Sequence, residues 1–373
     1  MKRSFNLILL ICLCSILWGC SNKASAPSSP SNSGGGATAF TYPFAGQIGS
    51  YFNETTLEDP SCSVYYPAPA EFWIPFGVAA SGDYLFISDP QFGDIQVFTT
   101  SGTYITAFWP DDSSGDIANG GGNPVPAGLT VDKQGHLYET DPNLGVINVF
   151  NINDILAQAP AVWPCGFLSA YATYRGINPI DVSVDNNGNM YVADDGNGLE
   201  KIAPNFNDTT VGCCGYNSGD NWLASTSGGY ASINGGSLAS PIGGGIVVTA
   251  DGSRVYYGDA GNNVIQVYDS GLNPVGFIGN AGGAATTAAG EFDGPIGVIL
   301  DNQGNLLVTE EGNARVQRLT TGGTFLAFIG WGASHTTPQP GDIASPILLA
   351  VDSNDDLFVS NPSVSGVYKY SSH

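Results

Sequence analysis

The stretch PIDVSVDNNGNMYVAD, residues 179–194, decides the fold. It reads as strand, turn, strand. A proline opens a short apolar run where a missing N–H costs least. The turn Asn186-Asn187-Gly188-Asn189 then supplies the positive φ that a hairpin requires. The second run, Met190-Tyr191-Val192-Ala193, has two faces and ends on Asp194.

Working outward, the same phrase returns at 75–89 (PFGVAASGDYLFISD) and 126–141 (PAGLTVDKQGHLYETD). A stretched copy occupies 241–259 (PIGGGIVVTADGSRVYYGD). PIGVILDNQGNLLVTE (295–310) and PILLAVDSNDDLFVSN (346–361) complete six. A third apolar strand follows each: 95–98, 147–150, 199–202, 264–268, 316–319 and 367–370. Six strand-rich repeats that stack face to face predict an all-β, six-bladed propeller over residues 40–373. Phe277-Ile278-Gly279 and Phe328-Ile329-Gly330 end outer strands, but the last copy stops without one. Phe44-Ala45-Gly46-Gln47-Ile48-Gly49 matches the missing phrase. The N-terminal strand is therefore expected to close the last blade and remove the open edges.

The repeat resembles the NHL family, whose phrase runs much like P-x-G-V-x-V-D-x-x-G-N-x-Y-V-x-D. The resemblance covers roughly 75–373 and implies a propeller. Asp181 replaces the phrase's Gly in the third copy, and Asn361 replaces its terminal Asp in the last.

The N-terminus reads as an export signal. Lys2 and Arg3 precede an apolar run from Phe5 to Trp18, too short for a stable membrane span. Leu17-Trp18-Gly19-Cys20 resembles the lipobox of bacterial lipoproteins, which implies a signal peptide over 1–19 and a lipid on Cys20. Residues 20–39 continue as a flexible Ser/Pro/Gly tether. Ser21 after the acylated Cys implies the outer membrane in a cell that has one. Past Cys20 remain Cys62, Cys165, Cys213 and Cys214, expected as disulfides in an oxidising compartment. Cys62–Cys165 with a vicinal Cys213–Cys214 bridge is one pairing, and a crosswise pairing is equally allowed.

The balance of 10 Lys+Arg against 33 Asp+Glu gives a net charge of −23. Such a surface repels nucleic acid and anionic head groups. Long connections are expected at 109–125, 151–178, 205–240, 280–294 and 331–345. Trp109, Trp163, Trp222 and Trp331 fall in them and are candidates for contacting a protein, peptide or glycan. Trp73 lies in the lead-in to the first repeat.

Each second strand ends in a carboxylate or amide: Asp89, Asp141, Asp194, Asp259, Glu310 and Asn361. Such a ring suits calcium, although hydrogen bonding of the following turn is its commoner use. Asp194, Asp195, Asp259, Glu310 and Glu311 are the metal candidates, the doubled acids foremost. No cofactor is otherwise indicated. His136, His335 and His373 are scattered, so neither a three-His zinc site nor a Ser-His-Asp triad is supported. Arg175, Arg254, Arg315 and Arg318 are expected in surface ion pairs. The composite expectation is a monomeric, membrane-anchored binding propeller outside the cytoplasm. The alternative is a metal-dependent hydrolase or lyase of lactonase type, acting in the central channel.

Overall fold

The computed structural model describes residues 42–52, 69–111, 123–157, 167–175, 177–195, 198–204, 222–225, 244–330 and 339–372. Six antiparallel sheets carry the six copies of the repeat, each running from an inner to an outer strand. Blade one comprises Val78–Ser81, Tyr84–Asp89, Asp94–Thr99 and Tyr104–Asp111. Blade six comprises Leu349–Val351, Leu357–Asn361 and Gly366–Tyr370 from the end of the chain. Its fourth strand is Phe44–Ile48. This closing strand pairs Gln47 with Tyr368 and Ile48 with Val367, and a bulge follows Phe44. The ring is shut as the sequence predicts.

Alternation along the strands gives every blade two apolar faces, and six buried clusters fill the six seams. Leu137 and Phe150 of blade two, for example, pack on Phe86 and Val97 of blade one. Ile48 joins Phe98, Phe358 and Val367 in the seam where last blade meets first.

The inner strands are stitched by hydroxyls standing one residue before the terminal acid. Thr309 Oγ1 accepts from Gly297 N at 2.6 Å in its own blade and donates to Ile347 O of blade six at 2.7 Å. Ser88 does the same for Gly77 N and Ala127 O, and Thr140 for Gly128 N and Ile180 O. These clasps require close approach, which explains the phrase's glycine. A Cβ on Gly77 would stand 2.1 Å from Ala127 O, and one on Gly297 2.5 Å from Ile347 O. In blade three the hydroxyl is replaced by Ala193, and the seam is stitched differently. There Asp181 Oδ2 and Ser183 Oγ accept from Ile246 N and Val248 N of blade four. Asp181 thus departs from the repeat where its blade lacks the clasp. Thr309→Val, which keeps shape and removes the hydroxyl, is expected to cost about 1–3 kcal/mol in urea unfolding.

The connections at 109–125, 151–178 and 205–240 are not wholly loop, and that expectation is corrected. Trp109 lies within the outer strand of blade one, and Trp222 opens the outer strand of blade three opposite Ile202. Segment 151–178 holds a short helix, Ile152–Ala157, and the outer strand of blade two, Ala172–Arg175. Between them Phe167–Ser169 runs back to blade one and adds a fifth, parallel strand beside Trp109–Asp111.

Candidate functional site

Two ends of the ring are chemically distinct. At one end lie the lead-ins to the inner strands and the turns after the second strands, with the ring of acids between them. Asp89 Oδ2 accepts from Trp73 N and Ile74 N at 2.7 and 3.0 Å, and its Oδ1 from Gln91 N and Phe92 N. Asp141 Oδ2 accepts from Val125 N and its Oδ1 from Asn143 N and Leu144 N. Asp194 accepts from Asn178 N, Asp259 from Asn262 and Gln266, and Asn361 from Ser345 N. Asp194 and Asn361 hold the lead-in of their blade and Asp259 the turn and third strand, whereas Asp89 and Asp141 tie the lead-in to the turn that follows.

Glu310 does this with a guanidinium beside it. Its Oε1 accepts from Asp293 N and Asn313 Nδ2, and its Oε2 from Gln317 Nε2. Arg315 donates to both oxygens through Nε and Nη2. The same guanidinium reaches Thr287 O at 2.9 Å and lies 4.2 Å from the Phe328 ring centroid. Both members of the pair are fully buried. Arg318, bound to Asp301 at 2.6 Å, is 6 % exposed. The surface role expected for Arg315 and Arg318 is therefore corrected. Each is internal, tying turn carboxylates to strands.

Among the described residues no three His, Cys, Asp or Glu side chains stand together as a metal set. Of the doubled acids, Asp194 and Glu310 are buried and Asp195 and Glu311 half-buried. Asp195 lies 3.4 Å from Asn178 Nδ2. Glu311 is held above the usual carboxyl range by burial and by its neighbour Asp293. Trp163, Trp331, Cys20, Cys62, Cys165, Cys213 and Cys214 lie outside the described residues.

Burial raises several of these carboxyls. Asp89 is pushed up to about 6 against four backbone N–H bonds, and Asp181 to about 7. Asp94 is raised by burial and then by Asp89, and Glu139 by burial and then by Asp141. A carboxyl whose folded pKa exceeds its unfolded value near 4 favours folding at low pH and loses that advantage as pH rises through the folded value. Stability is expected to fall as pH rises from about 4 through about 7. Asp251, lowered to about 2, and Asp269 act oppositely below pH 4. Melts at constant ionic strength should show a midpoint several degrees higher at pH 5 than at pH 8. A higher midpoint at pH 8 would contradict this.

Sequence reasoning passed over the aromatic corner on the acid-bearing end. Trp73, directly after the strand Glu71–Phe72, is 41 % exposed. Its indole stacks near Phe52 (6.1 Å, 16°) and meets Phe92 edge-on at 6.0 Å. Tyr51, at 68 % exposure, stands next to Phe52 in the chain. The available signal was Trp73's position just before the first repeat.

Along the axis at this end, Phe76, Ala127, Ile296, Ile347 and Leu348 form a buried apolar cluster drawn from blades one, two, five and six. The opposite half of the axis is open. A cavity of about 330 Å³ is lined there by all six inner strands, with Asp132, Lys133, Asp185 and Asn186 at its turns.

No protein-family model matches the chain, and no curated protein does. Solved structures do. A Bacteroides thetaiotaomicron protein of unknown function superposes with a TM-score of 0.60 at 12 % identity, covering 89 % of this chain and 75 % of that one. An auxiliary nutrient binding protein of Bacteroides ovatus gives 0.57 at 12 %, covering 89 % and 77 %. A candidate gluconolactonase gives 0.51 at 13 %, covering 82 % and 90 %. The chain is a six-bladed β-propeller. At such identities the likeness establishes the architecture alone. Among the described residues, no helix is long and apolar enough to cross a membrane.

Proposed function

We propose that this chain is an exported NHL-type propeller, lipid-anchored through Cys20, that binds a protein, peptide or glycan of the cell envelope or its surroundings. The face bearing the ring acids is the binding face. One observation carries this reading. The ring carboxylates Asp89, Asp141 and Glu310 on that face are spent on holding the chain, whereas its aromatic corner at Trp73 is turned to solvent. Exposed tryptophans on a rigid scaffold are the residue type that dominates recognition surfaces. The apolar cluster along the axis at the same end leaves the rim, not the channel, as the contact surface. The acidic charge disfavours nucleic acid. In a cell with an outer membrane, Ser21 favours that membrane as the location, and a monomer is the state this reading expects.

Trp73→Ala is expected to weaken capture from envelope extracts, or binding on glycan and peptide arrays, about tenfold or more with the melting midpoint kept. Unchanged capture would remove the corner from the reading. A point substitution is preferable to trimming connections, because 205–240 includes the outer strand of blade three and Ile343 of 331–345 is buried core. Cys20→Ser should move the protein from membrane to soluble fractions and abolish palmitate labelling.

The metal-dependent hydrolase or lyase reading is favoured by one pair, Asp293 and Glu311, which stand close enough to raise Glu311. Stabilisation by calcium that disappears in Glu311→Gln would support it.

A further inference from the structure

We propose that the open half of the central channel is a binding site for a small aliphatic cation of the primary-amine class, seated alkyl chain inward with its ammonium at the mouth. This site lies at the opposite end of the axis from the aromatic corner and does not depend on what that corner binds.

The cavity is enclosed on all sides by β-strands, not loops. About 330 Å³ of space is lined by the inner strands of the six blades. Half-buried apolar side chains from every blade line it: Ala80, Val131, Val184, Val247, Ile299 with Leu300, and Val351. Each of them packs on a seam cluster with part of its surface, and the remainder forms the cavity wall. The volume is within the range of small-ligand pockets, and the wall is of the type that takes an alkyl chain. The apolar cluster of Phe76, Ala127, Ile296, Ile347 and Leu348 lies on the axis at the other end. A ligand therefore enters from the side of the turns between first and second strands.

Charge decides the class. Those turns carry an aspartate in every blade: Asp83, Asp132, Asp185, Asp251, Asp301 and Asp352. Among the described residues lining the cavity, Lys133 is the one cation, and it is exposed. Against a chain of net charge −23, a carboxylate-headed amphiphile is repelled from this mouth and an ammonium is attracted. In five of these blades the aspartate's Oδ1 serves its own turn, as in Asp132 with Gln134 N and His136 N, and Asp301 is also paired with Arg318, so the head group is held by field and water and not by chelation.

The test is calorimetric titration of the whole chain with n-hexylammonium, n-hexanol and n-hexanoate at low salt. The expected order of affinity is ammonium, alcohol, carboxylate, with the gap closing as salt is raised. Butylammonium should bind more weakly by about fourfold for each methylene removed. Val184→Phe and Val351→Phe, from opposite blades, each fill the cavity and should cut hexylammonium binding at least tenfold. Lys133→Ala should tighten hexylammonium and leave hexanol unchanged, and it tests the charge argument even where a filled variant does not fold. Absence of binding, equal affinity for the alcohol and the ammonium, or undiminished binding in a folded filled variant would each overturn the proposal.

Discussion

A chain beginning at residue 50 is expected to lose the cooperative melt that a chain beginning at residue 38 retains. The difference between them is the closing strand, Phe44–Ile48, which supplies the outer strand of blade six. Without it, the strand Gly366–Tyr370 has an unpaired edge, and the seams on both sides of blade six are uncovered. Ile48 is 5 % exposed among Phe98, Phe358 and Val367, and Phe44 packs its ring on Tyr368 and Tyr370 at 5.1 and 5.8 Å. An exposed apolar edge is an aggregation site, so the truncated chain should also be recovered insoluble. Ile48→Ala in the full chain gives a graded version, with an expected loss of about 2–5 kcal/mol in denaturant unfolding. A truncated chain that melts like the longer one would show that the blade closes without this strand.

Glu310→Gln is expected to destabilise by about 3–5 kcal/mol, because it leaves the guanidinium of Arg315 buried without its counter-charge. The amide can still accept from Asp293 N, so the loss isolates the ion pair and not the turn. Replacing both residues by methionine should recover most of the stability, since a well-packed apolar pair avoids the desolvation penalty altogether. If the double variant is as unstable as the single one, the network around Thr287 and Glu291 is the larger part of the effect. This has a bearing on enzymology. Loss of activity on altering Glu310 would report a damaged blade, so Glu311 and Asp195 are the informative positions for any test of metal chemistry.

The ring and its closure were legible because they are written six times. The hairpin turns need Gly and Asn for backbone reasons, and Phe44–Gly49 repeats the outer-strand phrase found after blades four and five. The terminal acids were legible as turn residues for the same reason. The hydroxyl clasps could have been read as well, since Ser88, Thr140, Thr309 and Ser360 each precede the terminal residue in four of the six copies. The outer strands at Trp109 and Trp222 were hidden inside irregular segments that keep no phrase. The parallel strand Phe167–Ser169 owes its pairing to an edge presented by another blade, and local pattern carries no signal for that. The burial of Arg315 and Arg318 was missed because a charged residue on a third strand looks the same in sequence whether the seam is wet or dry. Trp73 was passed over because it lies in the lead-in to the first repeat and not in the long connections from which the tryptophan candidates were drawn.

The closing strand also fixes how tension enters the domain. Whatever pulls on the N-terminus, be it a tether to a surface or a force probe, reaches the folded ring through Tyr42 and Pro43, directly before Phe44 with its bulge opposite Tyr370. The first element to bear load is thus the one that holds the ring shut. Rupture there opens the seam between blades six and one, next to Trp73, whose carbonyl accepts from Ser365 Oγ of blade six. The rim at Trp73 and any load on the N-terminus are therefore joined through a single five-residue strand.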